Sequence, residues 1–266
     1  MDNSDAQLKK QALAQHLREL RKVLTFCVAV IFVGFVVVFL GFSEWLLQYL
    51  SRPLIERNVD IITIGVAEAF VAQMKASFVA GFVITSPAVF WKIWSFLKPA
   101  LYPQERAKFL MMFFVVLALF ITGVLFAYFL VLNIAINFFL IAGENIATPM
   151  ISLNMYIGML FNFVIPFGLA FEFPVVLFVL HRLEMVTVKG LVQARKYVIF
   201  GMFVLATLIT PPDLFSQVLL AVPMCILYEI SILVLKGMSR NKAEDADSDE
   251  DNANDSDVAD EDTSEE

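Results

Sequence analysis

The sequence predicts an all-α integral membrane protein with six transmembrane helices, on three observations. Apolar residues make up 59% of the 266 residues, against roughly 45–50% in a soluble domain, and the mean hydropathy is +0.77. They gather in runs near the roughly 20 residues that cross a hydrocarbon core. The bases collect in alternate connecting segments, as the positive-inside rule requires of a multispanning chain. The net charge of −7 conceals a division. The tail 243–266 holds 13 of the 26 acids and no base, so residues 1–242 carry 19 − 13 = +6.

Residues 1–22 form a cytoplasmic N-terminal segment. Within it 5–22 reads as an amphipathic helix, with Leu13, Leu17, Leu20 and Leu24 at helical spacing and Lys9, Lys10, Arg18, Arg21 and Lys22 on the other faces. The apolar run that follows lacks a small-residue cleavage site, so it is expected to remain as a signal anchor. The six-span membrane domain then occupies 23–235. Its first span is 23–42, with Glu44 and Trp45 at the far interface. A polar external stretch over 43–75 precedes the second span, 76–97, which contains Pro87. A short loop, FLKPALYPQER at 96–106, leads to the third span, 109–132. A second external stretch, 133–157, has no Lys or Arg. The fourth span, 158–180, is interrupted by Pro166, Gly168 and Pro174 and carries Glu172.

The fifth apolar run, 198–209, is short for a crossing. A helix beginning near Leu191, with Arg195 and Lys196 reaching back to the interface, makes a fifth span of about 191–209, with local bilayer thinning as the consequence. Thr210-Pro211-Pro212-Asp213 turns the chain into the last span, 214–235. The remainder, 236–266, is a cytoplasmic tail whose acidic part lacks apolar periodicity and is expected to be disordered. Fifteen bases fall in the N-terminal segment, the 96–108 loop, the 181–197 loop and the start of the tail. The opposite side has Arg52, Arg57 and Lys75, and Lys92 lies near the basic end of its span. Both termini are therefore expected in the cytoplasm. Cys27 and Cys225 lie in apolar runs and read as small core residues.

The sequence lacks the phosphate-binding G-x-x-x-x-G-K-[ST], the zinc-binding H-E-x-x-H, the nucleophile-elbow G-x-S-x-G and the redox C-x-x-C. His16 and His181 stand on different segments. No catalytic residue, metal, cofactor or nucleic-acid partner is expected. Five acids remain to be weighed as candidates for chemistry. Glu19 is either a surface ion pair with Lys22 or a cation-binding carboxylate at the membrane surface. Glu105 suits the third position of a helix that Pro103 opens, and it equally suits a ligand for a cation in a stiff basic loop. Glu172, between Phe171 and Phe173 in mid-span, is a functional candidate by default, because a buried carboxylate is expensive. Asp213 has the simple reading of a helix N-cap. Glu229, beside Tyr228, is placed to pair with a base.

Five stretches taken in order, HLRELRK at 16–22, RPL at 52–54, FLKPALYPQER at 96–106, FGLAFEFPVV at 167–176 and TPPDLFSQVLLAVPMCILYE at 210–229, resemble the TatC family, the multispanning receptor subunit of the twin-arginine protein translocase. The acidic tail lies outside the resemblance. Val23 and Ala107 stand where relatives often have a base. The resemblance implies a curved, glove-like bundle in a bacterial inner membrane. It implies a receptor that binds the twin-arginine signal peptides of folded precursors and exports them with the proton-motive force. The implied partners are TatA-type and TatB-type single-span subunits, other copies of the chain, and membrane lipids. By this resemblance Glu19 and Glu105 bind the two signal arginines, with His16, Phe96, Tyr102 and Arg106 around them. Glu172 lies in the concavity, and Pro53 and Asp213 belong to the periplasmic cap. Carboxylates suit guanidinium groups through charge-assisted, often bidentate hydrogen bonds. The alternative is an ion-coupled secondary transporter with Glu172 as proton relay, which would need a midplane pocket and usually internal repeats. A scaffold that only assembles small membrane partners is the third reading.

Overall fold

The computed structural model describes the backbone of residues 3–57, 59–97, 106–143, 150–183, 185–209 and 214–261, and the side chains of 18–57, 59–96, 110–142, 150–183, 185–209 and 214–237. The described elements are α1 (Asn3–Ile55), β1 (Asp60–Ile62), α2 (Glu68–Leu97), α3 (Arg106–Phe126), a π turn (Ala127–Val131), α4 (Leu132–Gly143), β2 (Met150–Ser152), α5 (Leu153–Ala170), α6 (Phe173–Arg182), α7 (Val188–Ile209) and α8 (Leu214–Glu261). Among the described residues, six helical stretches are long and apolar enough to cross a membrane. They agree in number and order with the apolar runs of the sequence.

The helices run longer than the apolar runs alone indicate. The amphipathic segment and the first span are one helix, α1, which reaches Ile55 rather than ending at 42. Leu46, Leu47, Leu50 and Leu54 recur at helical spacing and pack into the core, so the stretch taken as external is half helix. The third span continues through the π turn and α4 to Gly143, because the residues beyond Leu132 remain apolar. α7 starts at Val188 and has 22 residues, about 33 Å at 1.5 Å per residue, which supplies the crossing that a dozen apolar residues did not. α8 extends to Glu261. A helix already nucleated in the membrane extends without a new nucleation cost.

The fourth span is two helices. α5 ends at Ala170 and α6 begins at Phe173. Pro174 lacks an N–H, and its ring crowds the carbonyl four residues earlier. That carbonyl belongs to Ala170, so the break at Phe171–Glu172 follows from the proline.

The two connections with few or no bases, after the first and third spans, are fastened to each other. β1 pairs in parallel with β2, Ile61 opposite Ile151. The Arg57 guanidinium donates to Asn133 Oδ1 at 2.9 Å and to Asn137 Oδ1 at 3.1 Å, tying the end of α1 to α4. Ser152 caps α5 and donates to the Glu68 carboxylate, whose other oxygen accepts from the backbone N–H of Gly65 at 3.1 Å. Lys75 donates to Asn154 at 2.8 Å, and the Tyr156 hydroxyl donates to the Leu50 carbonyl at 2.6 Å.

Lipid tails are as apolar as leucine, so helix association in a bilayer depends on close contact. α1 and α2 approach closely at Gly34 and Gly81. A Cβ on Gly81 would lie 2.6 Å from the Phe35 nitrogen and 2.8 Å from the Gly34 carbonyl carbon. Both are backbone atoms and cannot rotate away. Gly81→Leu is therefore expected to separate α1 from α2, costing about 1–3 kcal/mol or more, whereas Gly41→Leu, with nothing within 4 Å, is near neutral. Thermal melts of the two variants in detergent provide the comparison, and equal midpoints would show that the crossing is not tight.

Candidate functional site

The residues singled out in the sequence fall at two places. The first is the basic end of the α1–α2 pair. The two helices run antiparallel, and ring contacts fix their register: Phe39 meets Phe70 at 5.8 Å, Phe35 meets Phe78 at 6.3 Å, and Lys92 Nζ sits 5.3 Å over the Phe26 ring. This register carries the exposed Glu19 toward the end of α2, from which the 98–105 loop departs. α3 resumes at Arg106, whose backbone opens that helix. The half-buried Phe96 lies in the last turn of α2, two positions before residue 98. The side chains of His16, Tyr102, Glu105 and Arg106, and the turn containing Asp213, lie outside the described residues, so the Glu19–Glu105 pair has no measured separation. Behind this end, Phe90 and Trp94 of α2 pack with Phe113, Val116 and Phe120 of α3 and Val175 and Val179 of α6. The described ends of α2 and α3 thus meet α6 in a largely aromatic cluster.

The second place is Glu172. It sits in the break between α5 and α6 and is 8% exposed. Its backbone is used locally: its N–H donates to the Leu169 carbonyl and its carbonyl accepts from Val176 N at 2.9 Å. Its side chain caps no helix, and Oε1 has no hydrogen-bond partner among the described residues. The carboxyl group lies against the backbone of α3 at Phe120. Two glycines hold α3 and α5 close there. A Cβ on Gly123 would meet the Phe167 carbonyl at 2.7 Å, and one on Gly168 would meet the Phe120 ring at 2.7 Å. The proline break removes Glu172 from a regular helix, and the glycine contacts hold it against a neighbouring span.

Pro53 lies half-buried in the last turn of α1, and its carbonyl accepts from Arg57. Glu229 pairs with Arg195 at 3.0 Å, a base on the facing helix as expected, and the Tyr228 hydroxyl closes the α7–α8 hairpin onto the Leu191 carbonyl at 2.9 Å. Cys27 is buried and Cys225 half-buried, both as free thiols. The fastenings of Arg57 to Asn133 and Asn137, of Glu68 to Ser152 and of Lys75 to Asn154 were not singled out from the sequence. A signal was present: Asn133 and Asn137 stand four apart, on one helix face, and Arg57 and Lys75 belong to the few bases of the base-poor side. No group of three or more His, Cys, Asp or Glu placed to hold a metal ion occurs among the described residues.

Comparison with known proteins agrees with this architecture. Residues 15–223 match the family described as Sec-independent protein translocase protein (TatC). The Sec-independent protein translocase protein TatC of Carboxydothermus hydrogenoformans is 40% identical over 229 residues, covering 86% of this chain and 94% of the relative. That of Aquifex aeolicus is 38% identical over 236 residues, covering 87% and 98%. A solved structure described as the twin arginine translocase receptor TatC superposes with a TM-score of 0.77 at 38% identity, covering 83% of this chain and 98% of the other. The match runs through both places described above and stops before the acidic tail. The chain therefore belongs to the TatC family, the multispanning subunits of the Sec-independent protein translocase, which are transport proteins and not enzymes.

Proposed function

We propose that this protein is the signal-peptide receptor and core subunit of a twin-arginine translocase, exporting folded proteins across a bacterial inner membrane with the proton-motive force. The observation that carries this reading is the α1–α2 register, which directs the exposed Glu19 toward the end of the bundle from which the Glu105 loop leaves. Two carboxylates on separate elements can each take one guanidinium, and a cationic surround opposes indiscriminate binding of other cations. By the family resemblance, Phe96, Tyr102, His16 and Arg106 are assigned to the surroundings of these carboxylates. Glu172 meets the passing signal peptide or a partner span inside the bundle. Pro53 and Asp213 belong to the cap on the opposite face.

The excess of bases in the segments that flank Glu19 and Glu105 supports a cytoplasmic placement of that end and of both termini. TatA-type and TatB-type single-span proteins, and further copies of the chain, complete the machine. The test is gene deletion followed by complementation with this chain, tracking a folded, cofactor-loaded precursor with a paired-arginine signal beside an unfolded Sec-type precursor. Restored export of the first, with the second unchanged throughout, is the expected result. Restoration of neither, from a chain that is stably inserted, would remove the reading.

A further inference from the structure

The first turns of α1 with described side chains carry a face that continues from the cations beside Glu19 into an apolar stretch. Residues 18, 21, 22, 25, 26 and 29 line an open groove of about 540 Å³. At about 100° per residue they fall on a single helix face. Its upper part is cationic, with Arg18, Arg21 and Lys22 all exposed. Lys92 of α2 joins them, its ammonium 5.3 Å over the Phe26 ring. The lower part is apolar. Ala29 continues the same face, followed by Phe32 and Val33, which are 63% and 60% exposed. Thr25 between the two parts returns its hydroxyl to the Arg21 carbonyl at 2.8 Å, which satisfies the polar group at the boundary.

We propose that this groove is a binding site for one anionic phospholipid, with its headgroup phosphate among Arg21, Lys22 and Lys92 and its acyl chains along Ala29, Phe32 and Val33. Three properties select that occupant. The concentration of cations demands an anion, and basic pockets at the ends of membrane helices hold acidic lipid headgroups. The face changes from charged to apolar along its length, as a phospholipid does. From Lys22 to Val33 is about 16 Å at 1.5 Å per residue, close to one leaflet of a roughly 30 Å hydrocarbon core. A free anion would use the upper half alone and leave the apolar half unexplained.

Glu19 lies roughly a quarter-turn from the centre of this face. A bound phosphate offsets the cations flanking Glu19 and lowers the repulsion met by an approaching pair of arginines. This consequence rests on the proposed signal-peptide reading, whereas the lipid site itself does not.

The test uses the full chain purified in detergent. Native mass spectrometry follows retention of added phosphatidylglycerol, with phosphatidylcholine and inorganic phosphate as separate arms. One tightly held phosphatidylglycerol is expected. It should weaken on the order of a hundredfold in the R21Q/K22Q/K92Q variant, at about 1 kcal/mol per base. It should be unchanged in a K189Q/K196Q/K236Q variant that loses the same charge elsewhere. Equal retention of phosphatidylcholine, an equal loss in both variants, or displacement by millimolar phosphate would overturn the proposal. If the first variant fails to fold, a photoactivatable phosphatidylglycerol on the unaltered chain decides. Adducts within 18–33 support the site, and adducts confined to other segments refute it. No arm uses export as its readout, so failure here and failure of the signal-peptide reading are distinguishable.

Discussion

Glu105→Lys is expected to abolish binding of a paired-arginine signal peptide and to weaken the binding of a paired-lysine control far less. The argument rests on geometry as well as charge. A carboxylate accepts two parallel N–H bonds from a guanidinium but takes an ammonium as a point charge. Hydrogen bonds to charged groups contribute about 1.5–3 kcal/mol each, so loss of even one bond of the pair weakens the arginine peptide roughly tenfold to a hundredfold. Reversal adds repulsion to that loss. Glu105→Gln separates the two effects, since it removes charge but retains an acceptor, and it is expected to fall between wild type and Lys. Glu19→Lys should reproduce the Glu105→Lys result, because each acid is assigned one arginine. Fluorescence anisotropy with the two labelled peptides reads all of this. Equal loss for arginine and lysine peptides would reduce Glu105 to a general electrostatic feature and return it to the simpler role of a helix-start acid.

The number of spans was legible because an apolar run of bilayer length has few alternatives in water or lipid. Where helices ended was less legible, and the reason is physical. Hydropathy reports which residues sit in hydrocarbon, whereas helix length is set by packing that continues beyond it. Leu46, Leu47, Leu50 and Leu54 continue α1 past the interface because they reach the core. Their spacing was visible, but the polar residues between them masked it. α7 illustrates the converse, since its first turns are polar and still helical. Of the interruptions expected at Pro166, Gly168 and Pro174, only that at Pro174 breaks the span, because α5 runs unbroken through Pro166 and Gly168 to Ala170. Residues that work across the fold were the least legible. Nothing local pairs Arg57 with Asn133, 76 positions away, or Glu68 with Ser152, 84 away. Such pairs become visible only when β1 and β2 bring the outer connections together. The acids of the candidate site stood out for a different reason. Glu172 is conspicuous in an apolar span, and Glu19 and Glu105 are conspicuous among bases.

Glu172 also sets a test in which stability and transport should move in opposite directions. Its carboxyl group is buried, and one oxygen lacks a partner among the described residues. A buried unsatisfied polar group costs about 1–3 kcal/mol. Leucine has similar bulk and no polar atom, so Glu172→Leu should raise the melting temperature. At about 2–4 °C per kcal/mol for a chain of this size, the gain is several degrees. Export should nevertheless fall at least tenfold, because the polar group proposed to meet a signal peptide or partner span is gone. Such a trade is expected where a site keeps an unfavourable group for function. Glu172→Gln keeps a hydrogen-bonding head in the break, so it should export better than Leu and melt close to wild type. Gly123→Val disturbs the same region by a different route. It drives a side chain against the Phe167 carbonyl and the Phe171 ring, and it should lower both melting temperature and export. The pattern across the three variants discriminates between the roles of this residue. A Leu variant that melts lower than wild type and exports normally would make Glu172 a structural polar contact within the bundle. A Leu variant that melts higher and fails to export would identify a group held in place at the expense of stability, in a helix break that Pro174 creates and that the α3–α5 glycine contacts keep closed.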